Sequence, residues 1–233
     1  MSKVILITGN RKGIGKSLTD YYLDLGCTVI GCSRSESSTS HENYEHYILD
    51  VSNEKEVVKM IRQVVKKYTK IDVLINNAGI ASMNHVLLTP MKTIENIFNT
   101  NFIGSFIFLR EVSKSMMKQK SGKIINFSTV AVPLNLEGEA IYASSKSAIE
   151  TLTKIAAKEL GSYGITVNAI GPTPVLTDLI KTVPKDKIDK ILDHQAIKRF
   201  GTFQDVSNII DFFMDEKSNF VTGQIIYLGG INK

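Results

Sequence analysis

Short runs of β-branched and apolar residues alternate along the chain with longer stretches whose apolar positions recur every three or four residues. The short runs predict strands at Val4–Thr8, Thr28–Cys32, Tyr47–Leu49, Val73–Asn76, Lys123–Ser128, Thr166–Ile170 and Gln224–Leu228. The longer stretches predict helices over Lys16–Leu25, Glu54–Tyr68, Ile94–Lys118, Ala140–Leu160 and Gln204–Met214. Strands separated by helical crossovers imply parallel pairing, so the expectation is one α/β domain across residues 1–233. Its sheet is expected to be doubly wound, with seven mostly parallel strands and helices on both faces.

One interval breaks the alternation. Ser33 to Tyr44 is rich in serine and too short for a comfortable crossover helix, so it reads as a loop. There is no internal repeat, low-complexity tract or linker, and with 233 residues, 43% of them apolar, one chain can bury a full core. The two cysteines, Cys27 and Cys32, flank an apolar run and fit neither a disulfide framework nor a metal site, which implies a reducing compartment and no metal. No stretch approaches ~20 uncharged apolar residues, and the start lacks a signal-peptide core, so a soluble, cytoplasmic protein away from membranes is expected.

The formal charge of +5 suggests affinity for anions. Lysines and acids are interspersed, however, and no dense basic run accompanies them. Nucleic acid is therefore not the expected partner, and a phosphate-bearing small ligand accounts for the charge equally well.

Candidate chemistry begins after the first strand, at Thr8-Gly9-Asn10-Arg11-Lys12-Gly13-Ile14-Gly15. Three glycines where a strand turns into a helix N-terminus make a diphosphate cradle of backbone N–H groups, although the spacing departs from Gly-x-Gly-x-x-Gly. Farther on, Tyr142 and Lys146 stand four apart in a helical segment and share one face. Reducing a carbonyl needs a proton donor at its oxygen. An ammonium ~4 Å from the phenol, at an effective dielectric near 20, would favour phenolate by about 4 kcal/mol and draw its pKa from about 10 toward neutrality. The same lysine is also suited to holding ribose hydroxyls.

Taken in order, the glycine turn, Asn76-Asn77-Ala78-Gly79, Asn126-Phe127-Ser128-Thr129, Tyr142-Ala143-Ser144-Ser145-Lys146 and the C-terminal Arg199-Phe200-Gly201 and Val221-Thr222-Gly223-Gln224 resemble the short-chain dehydrogenase/reductase family over essentially the whole chain. The resemblance implies a Rossmann-type fold and hydride transfer between a nicotinamide and a carbonyl or alcohol carbon. It places Gly9, Gly13, Ile14 and Gly15, with Arg11 and Lys12, around the diphosphate. Asp50 and Val51 fall beside the adenine, and Asn77, Ala78 and Gly79 along the adenosine side of the cleft.

An acid after the second strand would bind the ribose 2′-hydroxyl of NAD and repel a 2′-phosphate. Here Cys32-Ser33-Arg34-Ser35 carries none, and Lys12 adds a second cation, so NADP(H) is favoured over NAD(H).

The resemblance further assigns Thr129 to the position of a substrate-orienting serine, with Ser128 as the rival. Alternation along the strand points Ser128 to the other face. It assigns Asn101 to a residue whose backbone carbonyl holds a water of a proton relay. Pro172, Val175 and Thr177 fall at the nicotinamide, where Gly171-Pro172-Thr173-Pro174 departs from the usual Pro-Gly, and Leu179 to Lys198 falls over the substrate.

Among family members the resemblance is greatest to 3-oxoacyl-(acyl-carrier-protein) reductases of fatty acid biosynthesis. An acidic carrier would dock on cations near the cleft. Lys120 fills one such position, and Tyr163 stands where a second is expected. The alternatives are a reductase or dehydrogenase of another small polar or sugar-derived alcohol, and a non-catalytic dinucleotide-binding protein. Apolar residues on more than one face of Ile94–Lys118 and Ala140–Leu160 suggest burial against other subunits, as the resemblance to homotetramers and homodimers also implies.

Overall fold

In the computed structural model, which describes residues 2–176 and 185–231, the apolar runs become strands β1 (Val4–Thr8), β2 (Thr28–Ser33), β3 (Tyr44–Ile48), β4 (Val73–Asn76), β5 (Gly122–Phe127), β6 (Ile165–Gly171) and β7 (Ile225–Tyr227). They form one sheet in the order β3-β2-β1-β4-β5-β6-β7, and every neighbouring pair is parallel, where mostly parallel strands were expected. β1 lies between β2 and β4. The winding reverses there, and a crevice opens at the carboxyl ends of the strands.

The helices are α1 (Gly13–Asp24), α2 (Glu54–Tyr68), α3 (Met91–Phe98), α4 (Gly104–Gln119), a one-turn α5 (Ala131–Leu134), α6 (Ala140–Leu160), α7 (Lys185–His194) and α8 (Phe203–Met214). Because strand side chains alternate between faces, Leu6, Ile30, Leu74, Ile124 and Val167 pack on one side with Val57, Val64, Phe108, Val112 and Ala156 of α2, α4 and α6. Ile5, Ile7, Val29, Ile75 and Ile125 pack on the other with Leu18 and Tyr22 of α1 and Val206, Ile210 and Phe213 of α8. The phenols of Tyr21 and Tyr22 both donate to Asp211, at 2.7 and 2.9 Å, and tie α1 to α8.

α2 shows why its segment folds as it does. Asn53 caps the first turn, Glu54 and Glu56 face the helix N-terminus, and Lys66 and Lys67 face its C-terminus. Val57, Met60, Ile61 and Val64 meanwhile form one buried stripe.

Two local expectations are corrected. The third strand begins at Tyr44 and ends at Ile48, three residues ahead of the apolar signal at its start, because an edge strand pairs through its backbone and bears polar side chains. The β2–β3 crossover is a helix-free loop, as expected. The long helix expected over Ile94–Lys118 is interrupted: a π-type segment, Asn99–Ile103, separates α3 from α4 and inserts extra backbone at a buried polar residue, Asn101. Within Leu179–Lys198 the described residues form α7, while residues 177–184, Thr177 included, lie outside the described residues.

Candidate active site

At the carboxyl ends of β1, β2 and β4 a cavity of about 500 Å³ is lined by Gly9, Arg11, Lys12, Gly13, Ile14, Ser33, Arg34, Asp50, Val51, Asn77, Ala78 and Gly79. Gly13 opens α1 with a φ of +57°, a conformation that favours glycine. No side chain caps that helix N-terminus, which leaves its first N–H groups available to an anion. The turn itself is fixed from beneath: the Asn77 amide donates to the carbonyls of Thr8 and Gly9 at 2.9 and 3.1 Å, and the Ala78 N–H donates to the Thr8 hydroxyl at 3.0 Å. Gly15 is buried behind this wall, where a Cβ would strike the Asn77 amide and the Gly9 carbonyl.

Three exposed cations, Arg11, Lys12 and Arg34, border the cavity. Burial alone would raise the Asp50 carboxyl, but hydrogen bonds from the Ser52 hydroxyl and amide, together with the Arg34 charge, hold it below the usual range. The carboxylate is thus engaged by the chain itself, with the Ser52 hydroxyl at 2.6 Å.

A second cavity of about 190 Å³ continues from the first and shares Ile14, Asn77, Gly79, Ile80, Ala81 and Glu139 with it. Thr129, Tyr142, Lys146, Pro172 and Val175 line this second space. Tyr142 and Lys146 come from one face of α6, and Thr129 follows β5 and faces the phenol. The Thr129 hydroxyl oxygen also accepts from the Ala131 N–H at 3.2 Å, which orients it. Ser128 points away, as alternation predicts: its hydroxyl donates to the buried Glu150 carboxylate at 2.6 Å, and Tyr227 donates to the same oxygen.

The electrostatics differ from the sequence expectation. The Lys146 amine donates to the Phe127 carbonyl at 2.8 Å, and burial pushes it down to about 8. Burial pushes the Tyr142 phenol up to about 12, the Thr129 hydrogen bond opposes this, and the Glu139 charge adds to it. Desolvation, and not the ammonium–phenol attraction that spacing suggested, therefore governs the pair, and both groups are held toward their neutral forms. Glu139 is itself raised by burial, with Lys187 opposing.

Asn101 lines neither cavity but stands behind both. Its side chain accepts from the Ile80 N–H at 2.8 Å and donates to the Ile80 carbonyl at 2.9 Å and to Ser145 Oγ at 3.0 Å. Its backbone carbonyl, which the resemblance assigned to a water, accepts the Ser105 hydroxyl at 2.8 Å.

A dinucleotide fits these surroundings chemically. An uncapped helix start, three cations and a glycine-lined wall lead to a pocket where Thr173 Oγ1 is buried without a partner among the described residues. The model of the short chain dehydrogenase family matches residues 3–188. The chain belongs to that family. It is 32% identical over 240 residues to the 3-oxoacyl-[acyl-carrier-protein] reductase FabG of Staphylococcus epidermidis, covering 99% of this chain and 98% of the relative. A solved structure, ElxO with NADP bound, superposes with a TM-score of 0.90 at 33% identity, covering 99% of this chain and 98% of that one. The ligand-free aldohexose dehydrogenase AldT of Thermoplasma acidophilum superposes with a TM-score of 0.89 at 27% identity, covering 99% and 94%.

This short-chain dehydrogenase is accordingly an oxidoreductase that uses a nicotinamide dinucleotide, which leaves the non-catalytic alternative behind. Arg199 of the C-terminal motif belongs to a structural clamp, its guanidinium bidentate on Asp205 at 2.7 and 2.9 Å beneath the Thr202 capping box of α8. One sequence expectation is corrected by position. Lys120 ends α4 just before β5 begins, whereas Thr129 lies beyond the opposite end of that strand. At ~3.3 Å per residue the two are separated by roughly the full depth of the sheet, so Lys120 is not near this chain's own cleft.

Sequence reasoning missed Glu139 and Ile80 in the walls, because neither belongs to a recurring motif. It also missed Asn10, Tyr44 and His46, whose hydrogen bonds cross between β1, β2 and β3. The only signal in the sequence was that Tyr44 and His46 share one strand face.

Proposed function

We propose that this short-chain dehydrogenase reduces the 3-oxo group of an acyl thioester, free or carrier-linked, with NADPH. The observation that carries the reading is the convergence of Thr129, Tyr142 and Lys146 on a narrow cavity with otherwise mainly apolar walls (Val130, Ala131, Leu136, Ile191), continuous with the cation-bordered one. The Staphylococcus epidermidis relative's name supports the substrate.

In this reading Arg11, Lys12 and the N–H groups at Gly13, Ile14 and Gly15 hold the diphosphate, and Arg34 with Ser33 meets the 2′-phosphate. Asp50, Val51, Asn77, Ala78 and Gly79 border the adenosine, and Pro172 and Val175 the nicotinamide. When bound, the dinucleotide supplies the hydride received by the carbonyl carbon. Thr129 and Tyr142 hydrogen-bond the substrate oxygen. Tyr142 transfers its proton to that oxygen as the C–O bond becomes an alcohol, which suits a phenol that burial keeps protonated at neutral pH. Lys146 holds the ribose hydroxyls and stabilises the transient phenolate, while Asn101 fixes Ile80 in the wall between the cavities. The protein acts in a reducing, cytoplasmic setting, where Cys27 and Cys32 remain free thiols. The described residues contain no helix long and apolar enough to cross a membrane.

A second reading, oxidation of a sugar-derived alcohol, draws on Glu139, an acceptor for hydroxyl groups in the same cavity, and on the likeness to an aldohexose dehydrogenase. NADPH consumption with short 3-oxoacyl thioesters, against NADP reduction with aldohexoses, separates the two. Turnover of the sugars without the thioesters overturns the first.

Subunit association is proposed through α4 and α6, where Phe106 and Ile155 remain 38% and 51% exposed beside Ile103. A dimer or tetramer by light scattering is expected, and a monomer at micromolar concentration rejects it.

A further inference from the structure

The segment that carries Arg34 leaves β2 at Ser33, whose backbone still pairs with β3, and enters a helix-free loop, so beyond Ser33 nothing in regular secondary structure holds it. A chain of side chains does. The Asn10 amide, in the glycine turn, donates to the Thr19 hydroxyl at 3.3 Å and to the Tyr44 phenol oxygen at 2.6 Å. Thr19 spends its own proton on the Gly15 carbonyl at 2.9 Å, which fixes nitrogen as the Asn10 atom facing it. Gly31 makes room for this amide, since a Cβ there would collide with it.

Tyr44 and His46 project from one face of β3, and the phenol lies 2.9 Å from His46 Nδ1. His46 Nε2 lies 3.0 Å from the Ser35 carbonyl and 3.1 Å from Ser33 Oγ. Ser33 Oγ in turn donates to the Ser35 carbonyl at 2.6 Å. A carbonyl only accepts, so the ring proton sits on Nε2. Nδ1 then accepts from Tyr44, whose oxygen receives the Asn10 N–H. The direction of each bond is thereby fixed, from the glycine turn to the loop, with the Nε2 proton shared between the Ser35 carbonyl and Ser33 Oγ.

His46 does not line the cavity; Ser33, Arg34 and Ser35 do. We propose that His46 is a positioning residue that fixes the Ser33–Ser35 segment, and with it Arg34, for recognition of the phosphate on the adenosine ribose. Through Tyr44 and Asn10 it also ties that segment to the turn that holds the diphosphate, so the two phosphate sites are set at one spacing. The inference rests on the NADPH reading given above.

The test is direct titration of the purified protein with NADPH and with NADH, read by dihydronicotinamide fluorescence, together with a thermal melt. Wild type should bind NADPH tighter than NADH. H46L should weaken NADPH about tenfold, the scale of losing one charge-assisted contact, while leaving NADH within about threefold. H46Q retains an N–H at the end of its side chain and should recover most of the NADPH affinity, although its melting temperature need not exceed that of H46L. A wild type that prefers NADPH combined with an H46L that keeps the preference overturns the role of His46 alone. Equal weakening of both dinucleotides, or no recovery in H46Q, shows a merely structural histidine and also overturns it. A wild type with no preference removes the cofactor reading and this inference together.

Discussion

The Lys146 amine donates to the Phe127 carbonyl across 2.8 Å, which anchors the middle of α6 to the carboxyl end of β5. This contact brings a helix face and a strand end together, and so places Tyr142 against Thr129. It also keeps the amine out of water, with a consequence for stability.

Burial favours the neutral amine, so the folded protein binds fewer protons than the unfolded chain between about 8 and the ordinary value of 10.5. Stability therefore rises with pH through that window, and the penalty is fully present below 8. Lys146→Met should raise the free energy of unfolding at pH 7 by up to about 3 kcal/mol, less whatever the orphaned Phe127 carbonyl takes back, and the gain, read by urea denaturation, should shrink toward pH 10.5. A gain that does not change with pH would mean that packing, not charge, is responsible.

Tyr142→Phe should bind NADPH nearly as wild type does while turning over at least ~100-fold more slowly, the usual contribution of a positioned proton donor. Stopped-flow or steady-state reduction of any accepted carbonyl measures it. Full activity in this variant would remove Tyr142 as the proton donor.

How much of this was legible in the sequence follows from the range of each interaction. Tyr142 and Lys146 declare themselves because a helix brings residues four apart onto one face, and the glycine turn because it joins two periodic segments. The protonation of the pair did not, since desolvation depends on every element packed around α6, and spacing reports only the attraction between two charges. The start of β3 was missed because Tyr44, Glu45 and His46 satisfy a polar edge instead of an apolar face. The distance of Lys120 from the cleft required knowing at which end of β5 each loop emerges.

Position 129 separates from position 128 by substitution. Thr129→Ser should remain active, and Thr129→Ala should lose about ten- to a hundredfold in kcat/KM, since it removes one of two groups on the substrate oxygen. Ser128→Ala should instead lower stability by about 1–3 kcal/mol, because Glu150 loses a buried donor. Urea denaturation beside the kinetics distinguishes them, and a dead but fully stable Ser128→Ala would reverse the assignment.

Arg34→Asp should weaken NADPH by at least about tenfold and leave NADH unchanged or improved, because a carboxylate repels a 2′-phosphate and accepts from a free ribose hydroxyl. Binding titrations at two salt concentrations check it. The difference should narrow at high salt, since Arg34 is exposed.

The π-type segment Asn99–Ile103 leaves a mark on what the sequence is free to become. A π-type turn takes up one residue more than an α-turn, so straightening the segment without removing a residue would rotate everything beyond it by about 100° relative to α3. Phe108, Val112 and Met116, now buried against the sheet, would swing toward solvent, and Asn101 would leave Ile80. Substitution alone cannot return the helix to regularity and preserve the core, so the irregularity acts as a ratchet: once the surrounding apolar pattern has been written in its register, only the loss of a residue can erase it.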